Sequence, residues 1–143
     1  MKILIINGPN LNLLGEREIE IYGKQSFEEF LEQLKKDNKD VRFDYYQSNI
    51  EGELINKIQE ANKLHDAVII NAGGYSHTSV AICDAIAYLK IPVVEVHISN
   101  VFKREEFRKN LLIAAKSLGC ITGFGLFSYT LAVQALINYK KTC

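Results

Sequence analysis

Residues 3–6, Ile-Leu-Ile-Ile, form an unbroken apolar run that stops at Asn7-Gly8-Pro9. A strand with one face in water would alternate polar and apolar residues, so a continuous run predicts a strand buried on both faces. Such a strand needs a sheet with helices packed on either side, and the rest of the chain supplies them. Ser26 is placed to N-cap a helix with Glu29 at the capping-box position, and Phe27, Phe30, Leu31 and Leu34 follow at helical spacing. Val41, Phe43 and Tyr45 alternate with polar neighbours as a half-buried second strand. Leu54, Ile55, Ile58, Ala61 and Leu64 then mark a helical stripe. Residues 67–70 read as a third strand, 79–89 as a helix and 93–98 as a fourth strand entered at Pro92. A charged helix is predicted over 104–117, a short strand over 120–122 and a final helix over 126–139.

Five strands alternating with five helices predict an α/β, flavodoxin-like three-layer fold with a five-stranded parallel sheet in the order 2-1-3-4-5. Residues 1–143 are read as one catalytic domain, large enough to bury roughly 70% of its unfolded surface. In such sheets ligands bind beyond the carboxyl ends of the strands, where the winding reverses. Polar residues stand at those ends. Asn7 and Asn10 follow strand one, Asn71 and His77 follow strand three, and Glu95, His97 and Ser99 close strand four.

Seventeen basic and seventeen acidic residues cancel, so the chain carries no electrostatic footprint for nucleic acid. A small anionic substrate stays open, because local arginines decide that question. Cys83, Cys120 and Cys143 are odd in number and form no C-x-x-C pair, as expected of reduced thiols in a cytoplasmic protein. The apolar start is too short for the core of a signal peptide, and no run approaches the roughly 18 apolar residues of a membrane span. No membrane partner is expected.

Four segments carry chemistry. In E-V-H-I-S, period two puts Glu95, His97 and Ser99 on one face of a central strand, where unpaired polar groups are costly. A satisfied core histidine is the plainer reading, and a zinc site a third, though no ligand pair has characteristic spacing. The segment N-A-G-G-Y-S-H-T-S offers glycines for close backbone approach and His77 just before a helix start, or simply a turn and a cap. Arg104 and Arg108 are four apart, hence on one helical face, either as anion ligands or as exposed partners of Glu105 and Glu106. Arg17 and Tyr22 share a loop after strand one. A tyrosine of pKa about 10 is roughly a thousandth ionised at neutral pH, and a guanidinium nearby could lower that pKa by about 1–3 units. Surface exposure of both is the alternative. The loop lacks the acidic pair of a response regulator, the Ser/Thr-rich loop of a flavodoxin, P-loop spacing and a G-x-S-x-G elbow.

Taken in order, N-G-P-N-L-N-L-L-G with R-E-I-E-I-Y-G, N-A-G-G-Y-S-H-T-S with Asp84, E-V-H-I-S-N and R-E-E-F-R make the chain resemble the type II 3-dehydroquinate dehydratases over nearly its whole length. The resemblance implies a lyase of the shikimate pathway of aromatic amino acid biosynthesis. It would remove water from 3-dehydroquinate by anti elimination through an enolate, giving 3-dehydroshikimate, with no cofactor and no metal. It implies Tyr22 as the base at C2 with Arg17 lowering its pKa, and Asn10 holding the water that stabilises the enolate oxygen. His97 would be the general acid, with Glu95 setting its protonation and orientation. Backbone N–H groups of Ile98 and Ser99 would take the carboxylate, and Asn71, His77 and Arg108 would grip hydroxyls and carboxylate. It further implies a homododecamer of trimers in which Asp84 reaches a neighbour's site. Ile19, Phe102 and Cys83 depart from residues common in the family (proline, histidine and arginine), which bears on the loop that carries Arg17 and Tyr22 and on trimer contacts. A flavodoxin-like binding module without turnover is the competing reading.

Overall fold

The computed structural model describes residues 1–16 and 18–142, with Tyr22 described in its backbone alone. Strands β1 (Lys2–Asn7), β2 (Arg42–Gln47), β3 (Ala67–Asn71), β4 (Val93–His97) and β5 (Gly119–Thr122) form a parallel sheet in the order β2-β1-β3-β4-β5. This is the order expected from the alternation of elements. Around it lie α1 (Ile19–Tyr22), α2 (Phe27–Asp37), α3 (Glu51–Leu64), α4 (Val80–Tyr88) and α5 (Phe127–Thr142).

The apolar run of β1 divides as the pleat requires. Ile3 and Ile5 pack with Phe27, Leu34, Tyr129 and Leu136 of α2 and α5, while Leu4 and Ile6 pack with Leu54, Ile58 and Ile82 of α3 and α4. All four strand residues are fully buried. Helix α2 starts at the expected capping box: the Glu29 N–H donates to Ser26 Oγ at 3.2 Å, and the Ser26 N–H donates to Glu29 Oε2 at 3.1 Å. On α3 the stripe holds at Leu54, Ile58 and Ala61, but Leu64 is 54% exposed. The helix ends there, and the next residue turns inward instead: His65 is buried, with Nε2 2.8 Å from Asp44 Oδ2.

The predicted helix over 104–117 does not form. Residues 101–117 instead make three separate 3₁₀ turns, Val101–Lys103, Glu106–Lys109 and Ala114–Lys116. The segment's polar groups are spent on tertiary partners: Leu112 N–H donates to the Ser76 carbonyl at 2.9 Å, and the Asn110 carbonyl accepts from His77 Nδ1 at 2.9 Å. Ile113 is its one fully buried residue, which gives too narrow an apolar stripe to hold an α-helix against the sheet.

Where β1 and β3 end, their following loops nearly touch. Gly8 N–H donates to the Asn71 carbonyl at 2.7 Å, and a Cβ at Gly8 would lie 2.5 Å from the Ala72 carbonyl oxygen. Only glycine allows this approach. Gly8→Ala should therefore destabilise the protein by about 1–3 kcal/mol, the usual cost of overpacking, as read by urea denaturation. A variant of parental stability would show that the two loops can part freely.

Candidate active site

At the carboxyl ends of β1, β3 and β4 lies a cavity of about 140 Å³. Its walls come from three loops. The first brings Pro9, Asn10, Leu11, Leu13 and Leu14; the second Asn71, Gly73, Gly74 and His77; the third His97, Ile98, Ser99, Val101, Arg104 and Arg108. Of the residues singled out in the sequence, Asn10, Asn71, His77, His97, Ile98, Ser99 and Arg108 thus share one cavity. Glu95 sits behind His97, and Asp84, on the exposed side of α4, lies away from the walls. Arg17 falls outside the described residues, as does the side chain of Tyr22.

Glu95 and His97 show why period two mattered. Glu95 is wholly buried, and its Oε1 lies 2.9 Å from His97 Nε2. That contact holds the imidazole by one nitrogen and leaves Nδ1 as the one available to a ligand. His77 packs its ring against that of His97, with centroids 5.9 Å apart and planes 23° from parallel. Since the Asn110 carbonyl can only accept, His77 Nδ1 carries the proton and Nε2 is an acceptor. Burial holds the His77 pKa below the ordinary histidine range, and the nearby His97 and Arg108 add to that; the Asn110 bond and Glu95 oppose it. At neutral pH His77 is therefore an uncharged ring.

The two asparagines are fixed from outside the cavity by residues that sequence patterns passed over. Asn10 has φ of 70°, a left-handed conformation that asparagine tolerates better than other side-chain-bearing residues. Its N–H donates to Asn49 Oδ1 at 3.0 Å, and Gln47 Nε2 donates both to that oxygen and to the Gly8 carbonyl, each at 3.1 Å. Tyr75 OH donates to the Asn49 carbonyl, tying the third-strand loop to the same post. Asn71 Nδ2 donates to Tyr129 OH at 3.0 Å, and Tyr129 OH donates to Asn7 Oδ1 at 2.7 Å. The Asn71 amide is also held by Gly73 N–H on Oδ1. Asn7, Asn71 and Tyr129 are all buried, and burial raises the Tyr129 phenol's pKa well above the usual tyrosine value. Tyr45, beside Asn7, is pushed up to about 12 by burial. Both phenols are hydrogen-bonding groups and not bases. The one sequence signal for this network was a polar Asn at the end of each of two apolar strands.

Arg108 meets both of its readings. It lines the cavity, and its Nε also donates to Glu105 Oε2 at 2.7 Å while its guanidinium lies over the Phe107 ring. Arg104 lines the cavity as well, with Glu105 Oε2 3.7 Å from its Nε. Arg104 directly follows the first 3₁₀ turn and Arg108 lies within the second, so the two reach the same space without sharing a helical face. The end of β4 is pinned from α5's side: Ser128 Oγ and Gly123 N–H donate to the His97 carbonyl, and Gly125 N–H to that of Ile98.

A parallel five-stranded sheet with a small cavity of amides, imidazoles and guanidinium groups at its switch point defines a flavodoxin-like α/β protein for a compact, oxygen-rich ligand. Residues 1–137 match the family described as dehydroquinase class II. The chain is 55% identical over 140 residues to a 3-dehydroquinate dehydratase of Campylobacter jejuni subsp. jejuni, covering 96% of this chain and 88% of that one. It is 50% identical over 138 residues to one of Clostridium botulinum, covering 95% and 94%. The crystal structure of the type II dehydroquinase from Butyrivibrio crossotus superposes with a TM-score of 0.92 at 46% identity, covering 95% and 97%. This chain belongs to the class II dehydroquinase family.

Two outcomes follow from this geometry. Tyr129→Phe leaves Asn7 Oδ1 without its donor, so it should cost about 1–3 kcal/mol in urea denaturation and raise KM through a loosened Asn71. An unchanged KM would detach Asn71 from substrate binding. For His77, the unfolded chain binds the proton more readily than the fold does. Stability is therefore undiminished above the ordinary histidine pKa of about 6.5 and erodes as pH falls through it. His77→Gln should flatten that part of the acid-side slope in chemical denaturation between about pH 7.5 and pH 5.5. An identical slope would mean that His77 is not the group responsible.

Proposed function

We propose that this cavity removes water from 3-dehydroquinate by anti elimination through an enolate, yielding 3-dehydroshikimate, with the residues named below in their roles. Membership of the class II dehydroquinases makes the chain a 3-dehydroquinate dehydratase, a lyase of the shikimate pathway. The observation that carries the site assignment is His97, backed by buried Glu95 and facing a cavity shared with His77, Asn10, Asn71 and Arg108.

In this reading His97 is the general acid that gives a proton to the departing C1 hydroxyl, and Glu95 keeps the ring oriented. Tyr22 removes the C2 proton, and Arg17 favours its phenolate by charge. Asn10, posted in its left-handed conformation, holds the water that stabilises the enolate oxygen. The backbone at Ile98 and Ser99 takes the substrate carboxylate, while Asn71, neutral His77 and Arg108 grip its oxygens. A neutral His77 with Nδ1 already committed to Asn110 presents Nε2 as an acceptor, which suits a substrate hydroxyl and not a carboxylate. The proposal extends to one catalytic domain over 1–143, a cytoplasmic location and a homododecamer of trimers in which Asp84 serves a neighbouring site. Exposed Phe102, Phe107, Phe124 and Phe127 support a buried interface between copies. No described helix is long and apolar enough to cross a membrane.

Purified protein supplied with 3-dehydroquinate alone should generate a conjugated enone, followed by its ultraviolet absorbance. No rise in absorbance would favour a binding module. Tyr22→Phe should lower kcat by at least about 10²-fold, the scale expected for a positioned base. Turnover near the parental rate would take Tyr22 out of that role. Activity should survive dialysis against EDTA.

A further inference from the structure

The pairing of β4 with β5 sets Glu95 directly beside Cys120. A carboxylate oxygen of Glu95, a ring nitrogen of His97 and the Cys120 sulfur all lie within 4.8 Å of one another. Neither Glu95 nor Cys120 lines the substrate cavity. Glu95 is completely buried, and while Oε1 meets His97 Nε2, Oε2 has no hydrogen-bond partner among the described residues. A buried carboxylate oxygen left unpaired is rare and costly in a folded protein. Cys120 is half-buried on the edge strand β5.

Thiolate, imidazole and carboxylate are the donor set that zinc takes in proteins. Metal–ligand bonds of about 2.0–2.3 Å in a tetrahedron set donor atoms roughly 3.3–3.8 Å apart. The Cys120 sulfur must therefore move in by at most about 1 Å, within reach of side-chain rotation, while the Glu95 and His97 atoms part slightly from their 2.9 Å contact. We propose that Glu95, His97 and Cys120 form a binding site for zinc or a similarly soft divalent cation, with a fourth position open to water, and that its occupation silences the enzyme. On binding, the Cys120 thiol proton passes to solvent as the sulfur–metal bond forms, and the ring proton on Nε2 is exchanged for one on Nδ1. The metal then occupies the nitrogen by which Glu95 orients the ring, so His97 can no longer cycle between its charged and neutral forms. This inhibitory consequence rests on His97 as the general acid; the binding site itself does not.

Cadmium is a suitable probe, because thiolate coordination gives it an ultraviolet charge-transfer band. The whole protein, Cys120→Ser, and a control with Cys83→Ser and Cys143→Ser are titrated in parallel. The band should saturate at one equivalent per chain in the parental protein and the control, be absent in Cys120→Ser, and be displaced by zinc. Zinc should lower parental kcat at least about tenfold, a loss within the usual contribution of a general acid, and EDTA should restore it. Cys120→Val should retain basal turnover and be insensitive to zinc. A band that persists in Cys120→Ser, or none in the parental protein, would overturn the site. Full turnover with cadmium bound would overturn the silencing of the enzyme by the metal. A metal-free enzyme without turnover would count against the proposed reaction, and the spectroscopic titration would still decide the site.

Discussion

A parallel sheet covered on both faces has only its strand ends at which polar groups can meet a ligand. In this protein β1, β3 and β4 are buried almost throughout, and that constraint sorts every polar residue in them. Asn7 and Asn71 are the last residues of their strands, and His97 closes β4. Glu95 alone stands further in, between Ile70 on one neighbour and Cys120 on the other. Its desolvation is tolerable because His97 reaches back to it. Burial of the sheet and assembly of the cavity are thus linked, since Asn71 and His97 line the cavity while Asn7 and Glu95 support them from behind.

A phenol and several side-chain amides behind the cavity turn this placement into fixed geometry. Tyr129 links the ends of β1 and β3 through Asn7 and Asn71, while Asn49 and Gln47 hold the Asn10 backbone from the end of β2. None of Tyr129, Asn7, Asn49 and Gln47 carries out proton transfer in the proposed reaction. They hold groups in the orientation in which the enolate would form, so less reorganisation is left for the chemical step. Neutral His77, stacked on His97 and committed to Asn110, fits the same pattern.

Much of this could be read from the sequence because it rests on local rules. The I-L-I-I run, the Ser26–Glu29 box and the alternation E-V-H each follow from a short-range period, and each stands in the fold as read. Reasoning from periods failed where the chain answers to distant partners. Charges at 104–109 suggested a helix, yet Ser76 and His77 take the backbone groups that a helix would have used. Arg104 and Arg108 still arrive at one cavity, by a route the four-residue spacing did not describe. Leu64 satisfied the stripe in sequence but lies one residue short of the inward turn at His65. Tyr129, Asn49 and Cys120 carried no periodic signal, because each matters through a residue on another element.

The crossover from β4 to β5 lacks the helix that such connections usually carry. Its three short turns have little stability of their own and are pinned to Ser76, His77 and Cys83, all beyond β3. Such a segment cannot nucleate locally; it can order only after the partners it docks on are in place. The wall that bears Arg104 and Arg108 would thus be the last part of the cavity to assemble during folding and the first to open in native-state hydrogen exchange. Ligand release and local unfolding then draw on the same few contacts, which couples the pace of one to the stability of the other.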